Sequence, residues 1–128
     1  MKEIDLMLEM TALGKTWLLD LDGTLVKHNG YKLDGKDTLL PDIEQLLAQI
    51  RPEDTVVILT SRKREQQKET EFFLQKHGIP YDHIIFELPY GERILINDKK
   101  PSGRKMAFAV NTQRDEACRL NIMRNSEI

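Results

Sequence analysis

Cysteine is almost absent from the sequence: Cys118 is the only one among 128 residues. A single thiol excludes an internal disulfide and offers no cysteine cluster for zinc. Long apolar runs are also missing, because none reaches the roughly 20 residues needed to cross a bilayer. The stretch 1–5 carries acidic residues where a secretion signal needs positive charge and an apolar core. We therefore expect a cytoplasmic protein with no membrane partner.

A strong excess of charge of one sign is missing as well. The chain has 19 Lys and Arg residues against 21 Asp and Glu residues, which leaves a formal net charge of −2. This balance gives no electrostatic reason to expect a nucleic-acid partner. The basic cluster Arg62–Arg64 is followed directly by Glu65, a pattern that favours the solvated start of a helix over a nucleic-acid patch. The length fits one domain, which we expect to span residues 1–128.

Strand and helix patterns alternate along the chain. Short, mostly apolar runs predict strands at 16–21, 55–59, 83–86 and 93–96, with an edge strand at 106–110. Helical spacing predicts a leading helix over 1–14, a helix opened by Pro41, a helix over 63–77 and at most a turn or two of helix in the tail 112–128. The alternation predicts an α/β fold, with a three-layer Rossmann-like parallel sheet and helices on both faces.

The most informative stretch runs from Trp17 to Thr24 and ends in two closely spaced acids. Its apolar start is typical of a buried strand in a parallel sheet. Asp20 and Asp22 then follow at the C-terminal end of the strand, where open α/β sheets bind their ligands. Buried acids are costly unless they are paired or bound to a metal. Two acids with no Lys or Arg between them suggest a divalent cation and phosphate chemistry.

Two other predicted strands also end in polar residues, Thr60-Ser61 and Asn97-Asp98. In a parallel sheet these ends share one edge with the two acids. One carboxylate there can attack phosphorus, and a second can protonate the leaving oxygen. A hydroxyl and its backbone amide can hold the phosphate oxygens. A third carboxylate completes a set of oxygen ligands suited to Mg²⁺.

The residues at these strand ends carry a resemblance. The stretches Asp20–Thr24, Ile58–Arg62 and Ile96–Asp98 resemble the first, second and fourth motifs of the haloacid dehalogenase-like (HAD) superfamily. The first motif, an apolar strand followed by DxDGT, is the specific one, and the order and spacing of the other two strengthen it. The resemblance covers about residues 17–100.

The resemblance implies a Mg²⁺-dependent phosphatase that works through an aspartyl-phosphate. Asp20 is then the nucleophile and a metal ligand, and Asp22 the general acid and base, with its backbone carbonyl also on the metal. Thr60 binds the phosphoryl group. Asp98 supplies a metal-ligating carboxylate, with Asn97 beside it.

Residues next to these positions complete the implied site. Ser61, Arg62, Gly23 and Thr24 are the candidate substrate-binding residues. The family also places a lysine upstream of its fourth motif, but the stretch 81–96 contains none. Lys100 is the preferred substitute as the catalytic cation, and Arg62 and Lys76 are the rivals.

The spacing of the motifs leaves no room for an inserted cap domain, so the chain resembles the small capless phosphatases, some of which act in making capsular or lipopolysaccharide sugars. Two turn signals, Asn29-Gly30 and Asp34-Gly35, predict a small β-hairpin flap beside the site. His28, Tyr31 and Lys32 on the flap are candidate contacts for a small phosphorylated substrate, with sugar phosphates as candidates. We expect the open site to be covered by the flap, by a second copy of the chain in a homo-oligomer, or by a large substrate.

A second interpretation stays open beside the enzyme. Because the upstream lysine is missing, the chain also fits a binding or regulatory protein that keeps the fold and the phosphate pocket with little or no turnover. A phosphotransferase, or a phosphatase of protein or nucleic-acid ends, is a third interpretation, because a capless site admits large substrates.

Overall fold

A computed structural model of the chain describes residues 6–128. The strands in this part are β1 (Leu6–Thr11), β2 (Thr16–Asp20), β3 (Thr55–Leu59), β4 (His83–Ile85) and β5 (Leu120–Asn125). The helices are α1 (Gly30–Leu33), α2 (Ile43–Leu47) and α3 (Gln67–Lys76), with a 3₁₀ turn at Arg64–Gln66 before α3. None of the helices in the described part is long and apolar enough to span a bilayer.

The three predicted strands nearest the site form one parallel sheet in the order β2-β3-β4. Asp20 pairs with Leu59 at the end of β2 and β3, and Val57 pairs with His83 at the start of β4. The predictions for these three strands and for their parallel direction are confirmed. The helices predicted after Pro41 and at 63–77 are also present, although α2 is short.

One face of this sheet is buried and the other is partly open. Leu19, Ile58 and Ile84 are register partners on the face that packs into the core. On the opposite face Leu18 is 47% exposed and Ile85 is 45% exposed. The chain is therefore a small α/β protein with parallel sheets, and the three-layer arrangement with both faces covered is not confirmed.

A buried aspartate fixes the start of the sheet. Asp54, just before β3, accepts hydrogen bonds from the indole Nε1 of Trp17 at 2.9 Å and from the backbone N–H groups of Lys15 at 2.9 Å and Arg51 at 3.0 Å. Its side chain is fully covered. Burial alone would raise the pKa of this carboxyl, but the hydrogen bonds from Trp17 and the two backbone groups outweigh that effect and lower it. Asp54 thus holds the first residues of β2 and β3 side by side.

The prediction of a leading helix over 1–14 is wrong for the described residues, and its first five residues lie outside them. Residues 6–11 form β1, which pairs in parallel with β5 from Leu6↔Leu120 to Thr11↔Asn125. The tail 112–128, predicted to hold at most a turn or two of helix, supplies β5. A short, densely apolar run fits a strand as well as a helix, and here a partner more than 100 residues away decides the outcome.

The flap is a closed loop with a helical tip rather than a β-hairpin. A single antiparallel bridge, Val26↔Leu39, joins its two ends, and Lys27 N–H donates to the Thr38 carbonyl at 2.9 Å. At the tip, Asn29 takes the left-handed conformation (φ 55°) and starts α1. Asn29-Gly30 therefore forms a turn where one was predicted, but the turn leads into α1 and not into a second strand of a hairpin.

The strands predicted at 93–96 and 106–110 do not form. Residues 91–99 are all exposed, with Ile94 at 84% and Ile96 at 91%. A short apolar run becomes a strand only where a sheet edge accepts its backbone hydrogen bonds. Within residues 6–128, β2 remains an edge of the three-stranded sheet. The prediction failed because the sequence pattern does not specify the partner.

Candidate functional site

The ends of β2 and β3 bring two predicted site residues to one edge of the sheet. Asp20 is the last residue of β2, and its register partner Leu59 directly precedes Thr60. Thr60 is 1% exposed, and its backbone N–H donates to the Ile85 carbonyl of β4 at 3.0 Å. The Asp20 side chain, by contrast, is 37% exposed. The edge therefore presents an accessible carboxylate beside a rigidly held threonine.

The chain turns sharply after β2 because Gly23 takes a positive φ of 85°. Gly23 N–H donates to the Val26 carbonyl at 2.7 Å, and Leu25 N–H donates to the Leu21 carbonyl at 2.9 Å. This turn returns the hydroxyl of Thr24 to the strand end, where it donates to Asp20 Oδ2 at 2.8 Å. The DxDGT sequence thus builds a compact turn that orients the Asp20 carboxylate.

The most heavily bonded side chain of this region is Arg62, which is 4% exposed. Nε and Nη2 donate to both oxygens of Asp22 at 3.1 and 2.9 Å. Nη1 and Nη2 donate to both oxygens of Asp37 at 2.9 and 2.7 Å, and Nη1 also donates to Thr70 Oγ1 at 2.9 Å. A guanidinium has five N–H donors. All of them are therefore used within the protein.

The electrostatics of Arg62 follow from its two acidic partners. Burial by itself would lower the pKa of Arg62, but its hydrogen bonds to Asp37 and Asp22 outweigh that effect and hold the pKa above its ordinary value. The guanidinium carbon also lies 4.1 Å from the centroid of the Tyr31 ring, within cation–π range. Arg62, a candidate substrate-binding residue, thus fastens the flap to the strand ends.

A second arginine reaches the nucleophile candidate from the loop after β4. Arg93 Nη1 donates to Asp20 Oδ1 at 2.8 Å, and the Arg93 side chain is 39% exposed. Sequence reasoning missed this contact, because it assigned Arg93 to a strand. It also missed Asp37, for which the one available signal was chemical: a buried arginine requires acidic partners.

The loop after β4 lies along the second motif. Leu88 N–H donates to the Thr60 carbonyl at 3.1 Å, and Glu87 N–H donates to the Arg62 carbonyl at 2.9 Å. Ser61 Oγ donates to the Pro89 carbonyl at 3.3 Å. These contacts guide the chain toward Arg93, and they engage the hydroxyl of Ser61, which was a candidate for phosphate binding.

The fourth motif is not brought to this edge. Asn97 and Asp98 lie in the exposed segment 91–99, where the Asn97 side-chain amide donates to the Asp98 carbonyl at 3.1 Å. Lys100 follows in a turn in which its backbone N–H donates to the Arg104 carbonyl at 3.0 Å. The predicted grouping of Asp98 with the two acids of the first motif is therefore absent from this structure.

As arranged here, the described residues do not gather the three carboxylates implied for a Mg²⁺ site. Within residues 6–128, no group of three or more His, Cys, Asp or Glu side chains is placed to hold a metal ion. Both oxygens of Asp20 and both oxygens of Asp22 accept hydrogen bonds from the protein. Asp98, the third carboxylate that a hard-oxygen site needs, lies in the exposed segment.

The other candidate cation and the flap residues have clear positions. Lys76 is the last residue of α3, about 9 Å along the helix from Thr70, which contacts Arg62. On the flap, Tyr31 packs on Arg62, and Lys32 is exposed. His28 N–H donates to Asp115 Oδ1 at 2.7 Å, which joins the flap to the C-terminal part of the chain.

Comparisons with protein-family models, with curated proteins and with solved structures find no match to this chain.

Proposed function

We propose that the chain is a phosphomonoester hydrolase of the HAD superfamily, with that superfamily's three-layer Rossmann-like fold and no cap domain. The observation that carries the proposal is the position of Asp20. This carboxylate ends β2 in register with the end of β3, beside Thr60, and remains accessible to a substrate. A nucleophile at the C-terminal edge of a parallel sheet, with threonine hydroxyls nearby, suits phosphoryl transfer.

The proposed reaction has two steps. A carboxylate oxygen of Asp20 attacks phosphorus, and the bond from phosphorus to the leaving oxygen breaks. Asp22, once released from Arg62 and protonated, gives that oxygen a proton. Water then attacks the phosphorus of the aspartyl-phosphate and gives a proton to Asp22. The bond between phosphorus and Asp20 breaks, which releases inorganic phosphate and restores the free carboxylate.

Thr24 and Thr60 have supporting roles in this proposal. Thr24 donates to Oδ2 of Asp20 and so fixes the orientation of the carboxylate, whose Oδ1 accepts from Arg93. Thr60 places a hydroxyl at the end of β3, where it accepts from Arg62 N–H at 3.1 Å, while its own backbone N–H is held by the Ile85 carbonyl. Sugar phosphates are the proposed substrates. In this proposal they reach Asp20 from the open side of the sheet edge, next to the flap.

Mg²⁺ dependence belongs to the proposal because the resemblance to the superfamily implies it. The arrangement described above does not gather three ligands, so both steps are written with the chain's own groups. A metal would lower the repulsion between the anionic nucleophile and the anionic substrate.

The direct test is phosphate release from an aryl phosphate and a panel of sugar phosphates, with MgCl₂ and with EDTA. We expect turnover that requires the metal and falls about 10³-fold or more in Asp20→Asn. Asp42→Asn is the matched control, because Asp42 is exposed and lies at the start of α2. Equal turnover in the wild type and Asp20→Asn would contradict the assignment of the nucleophile.

A second function, phosphate binding without turnover, is favoured by one observation. Arg62 engages both oxygens of Asp22, the proposed acid and base. If this pair does not open, the leaving oxygen receives no proton from Asp22. The binder interpretation then predicts no phosphate release from any substrate of the panel, while inorganic phosphate still raises the midpoint of thermal unfolding.

A further inference from the structure

Two arginines reach the carboxylates of the first motif, and their remaining hydrogen-bonding capacity differs sharply. Arg62 donates to Asp22, and Arg93 donates to Asp20. We propose that Arg93 is the cation that holds the phosphoryl oxygens at Asp20 and balances their charge. This inference rests on the proposed function, and it assigns to a residue of the loop after β4 the role for which Lys100, Lys76 and Arg62 were the sequence candidates.

Arg62 has no capacity left for a substrate. Its five N–H donors are distributed over Asp22, Asp37 and Thr70. Its charge is matched by two carboxylates, and it is 4% exposed. A substrate phosphate would have to displace a buried carboxylate from Arg62, which leaves that carboxylate buried and unpaired.

Arg93, unlike Arg62, still has N–H donors that a substrate could use. Among the described residues it makes a single hydrogen bond, from Nη1 to Asp20 Oδ1 at 2.8 Å. The other N–H donors of its planar fork are free to meet the oxygens of a phosphate, for which that fork is well shaped. The donor that already contacts Asp20 places the guanidinium beside the atom that would attack phosphorus.

Because the Arg93–Asp20 pair is partly exposed, moving the guanidinium from Asp20 to a substrate phosphate costs little free energy. The two side chains are 39% and 37% exposed. Ion pairs at this degree of exposure contribute little to stability, so shifting the guanidinium from the carboxylate toward a phosphate dianion costs little. The same shift frees Oδ1 of Asp20 for attack. Arg93 thus shields the nucleophile in the free protein and receives the phosphoryl oxygens when the substrate enters.

The lysine candidates are less well placed. Lys100 lies in the exposed turn that follows Asp98, and the structure shows no contact between it and Asp20 among the described residues. Lys76 lies at the far end of α3 from the contact with Arg62. Of the four cations considered, Arg93 is the one that touches the proposed nucleophile and still has donors to offer.

Two measurements on Arg93→Ala, Arg93→Lys and wild type test the inference. The first is the affinity for inorganic phosphate by calorimetry, and the second is steady-state hydrolysis of p-nitrophenyl phosphate with MgCl₂. We expect Arg93→Ala to bind phosphate at least about tenfold more weakly and to lower kcat/KM roughly 100-fold. We expect Arg93→Lys to recover part of both, and added guanidinium to restore turnover in Arg93→Ala but not in the wild type.

Arg64→Ala is the matched control, because Arg64 is 68% exposed and pairs with Glu87 rather than with Asp20. It is expected to stay within about twofold of the wild type in both measurements. Arg93→Gln, which preserves most of the side-chain volume, replaces Arg93→Ala if the alanine variant has lost its circular-dichroism signal.

The outcomes separate this inference from the proposed function. Turnover in the wild type that is unchanged in Arg93→Ala overturns the role of Arg93 and leaves the hydrolase proposal standing. No turnover in the wild type, with phosphate binding that still depends on Arg93, supports Arg93 and overturns the hydrolase. Phosphate binding that is absent from the wild type, or equal in wild type and Arg93→Ala, overturns the inference.

Discussion

Arg62 and Asp22 form a bidentate ion pair, in which Nε and Nη2 of the arginine meet the two carboxylate oxygens at 3.1 and 2.9 Å. The side chains are 2% and 18% exposed. The geometry matches a planar donor fork to a planar acceptor pair, the strongest common arrangement of a charged hydrogen bond. This pair joins the end of β3 to the turn after β2.

Removing the guanidinium of Arg62 is predicted to destabilise the fold strongly. Arg62→Met leaves Asp22 and Asp37 without their shared cation in a buried place, and we expect the free energy of unfolding to fall by about 3–5 kcal/mol. Arg62→Lys keeps the charge but not the fork, so it should lie between wild type and Arg62→Met. Urea unfolding monitored by circular dichroism measures both.

Arg64→Met, at an exposed position, is the control, with a change in the free energy of unfolding of at most about 0.5 kcal/mol. A loss below about 1 kcal/mol in Arg62→Met would show that the network is not needed for stability.

The stability of the chain should depend on pH through Asp54. The folded state lowers the pKa of this carboxyl, so the charged form contributes stability above the unfolded pKa of about 3.9. That contribution is lost as the pH falls through the still lower folded pKa. We expect Asp54→Asn to be less stable at pH 7 by about 1–3 kcal/mol and to show a shallower decline below pH ~4.

Urea midpoints measured from pH 7 to pH 3 check this prediction. Asp42→Asn serves as the matched variant, since Asp42 is exposed and its φ of 64° suits asparagine. Its pH profile should run parallel to that of the wild type. A profile for Asp54→Asn that is also parallel to the wild type would contradict the role given to Asp54.

Gly23 should not tolerate a side chain. Its φ of 85° is strained for other residues, and an added Cβ would lie 3.3 Å from Cγ of Arg114 and 3.7 Å from Cβ of His28. We expect Gly23→Ala to lower the free energy of unfolding by about 1–2 kcal/mol. Gly91→Ala provides the comparison, because a Cβ there meets no atom within 4 Å and the backbone is not in the left-handed region. Equal stability of the two variants in urea unfolding would show that the turn after β2 can adapt.

The elements that could be predicted most accurately are those determined by residues close together in the sequence. The strands β2, β3 and β4 follow directly from short apolar runs, and the position of Asp20 beside Thr60 follows from the parallel direction of the strands. The turn at Gly23 likewise has a local cause, because glycine takes a positive φ without strain. In each case neighbours in the sequence carry the physical cause.

The failures arise where a distant partner decides the structure. Residues 6–11 became a strand because β5 pairs with them, and no local pattern names that partner. The apolar run 93–96 found no sheet edge and stayed exposed. Asp37 and Arg93 became part of the candidate site through contacts 25 and 73 positions away in the sequence. Such contacts follow from the folded arrangement and cannot be read from spacing.

The separation between Asp22 and Arg62, 40 positions along the chain, has a kinetic consequence. The two groups meet only after a long loop has closed and β2 and β3 lie side by side, and loop closure costs entropy before any contact repays it. Contacts absent from the folding barrier act mainly on the rate of unfolding. We expect the contacts of Arg62 with Asp22 and Asp37 to form after this closure, and therefore to slow the release of the flap more than they speed the assembly of the chain.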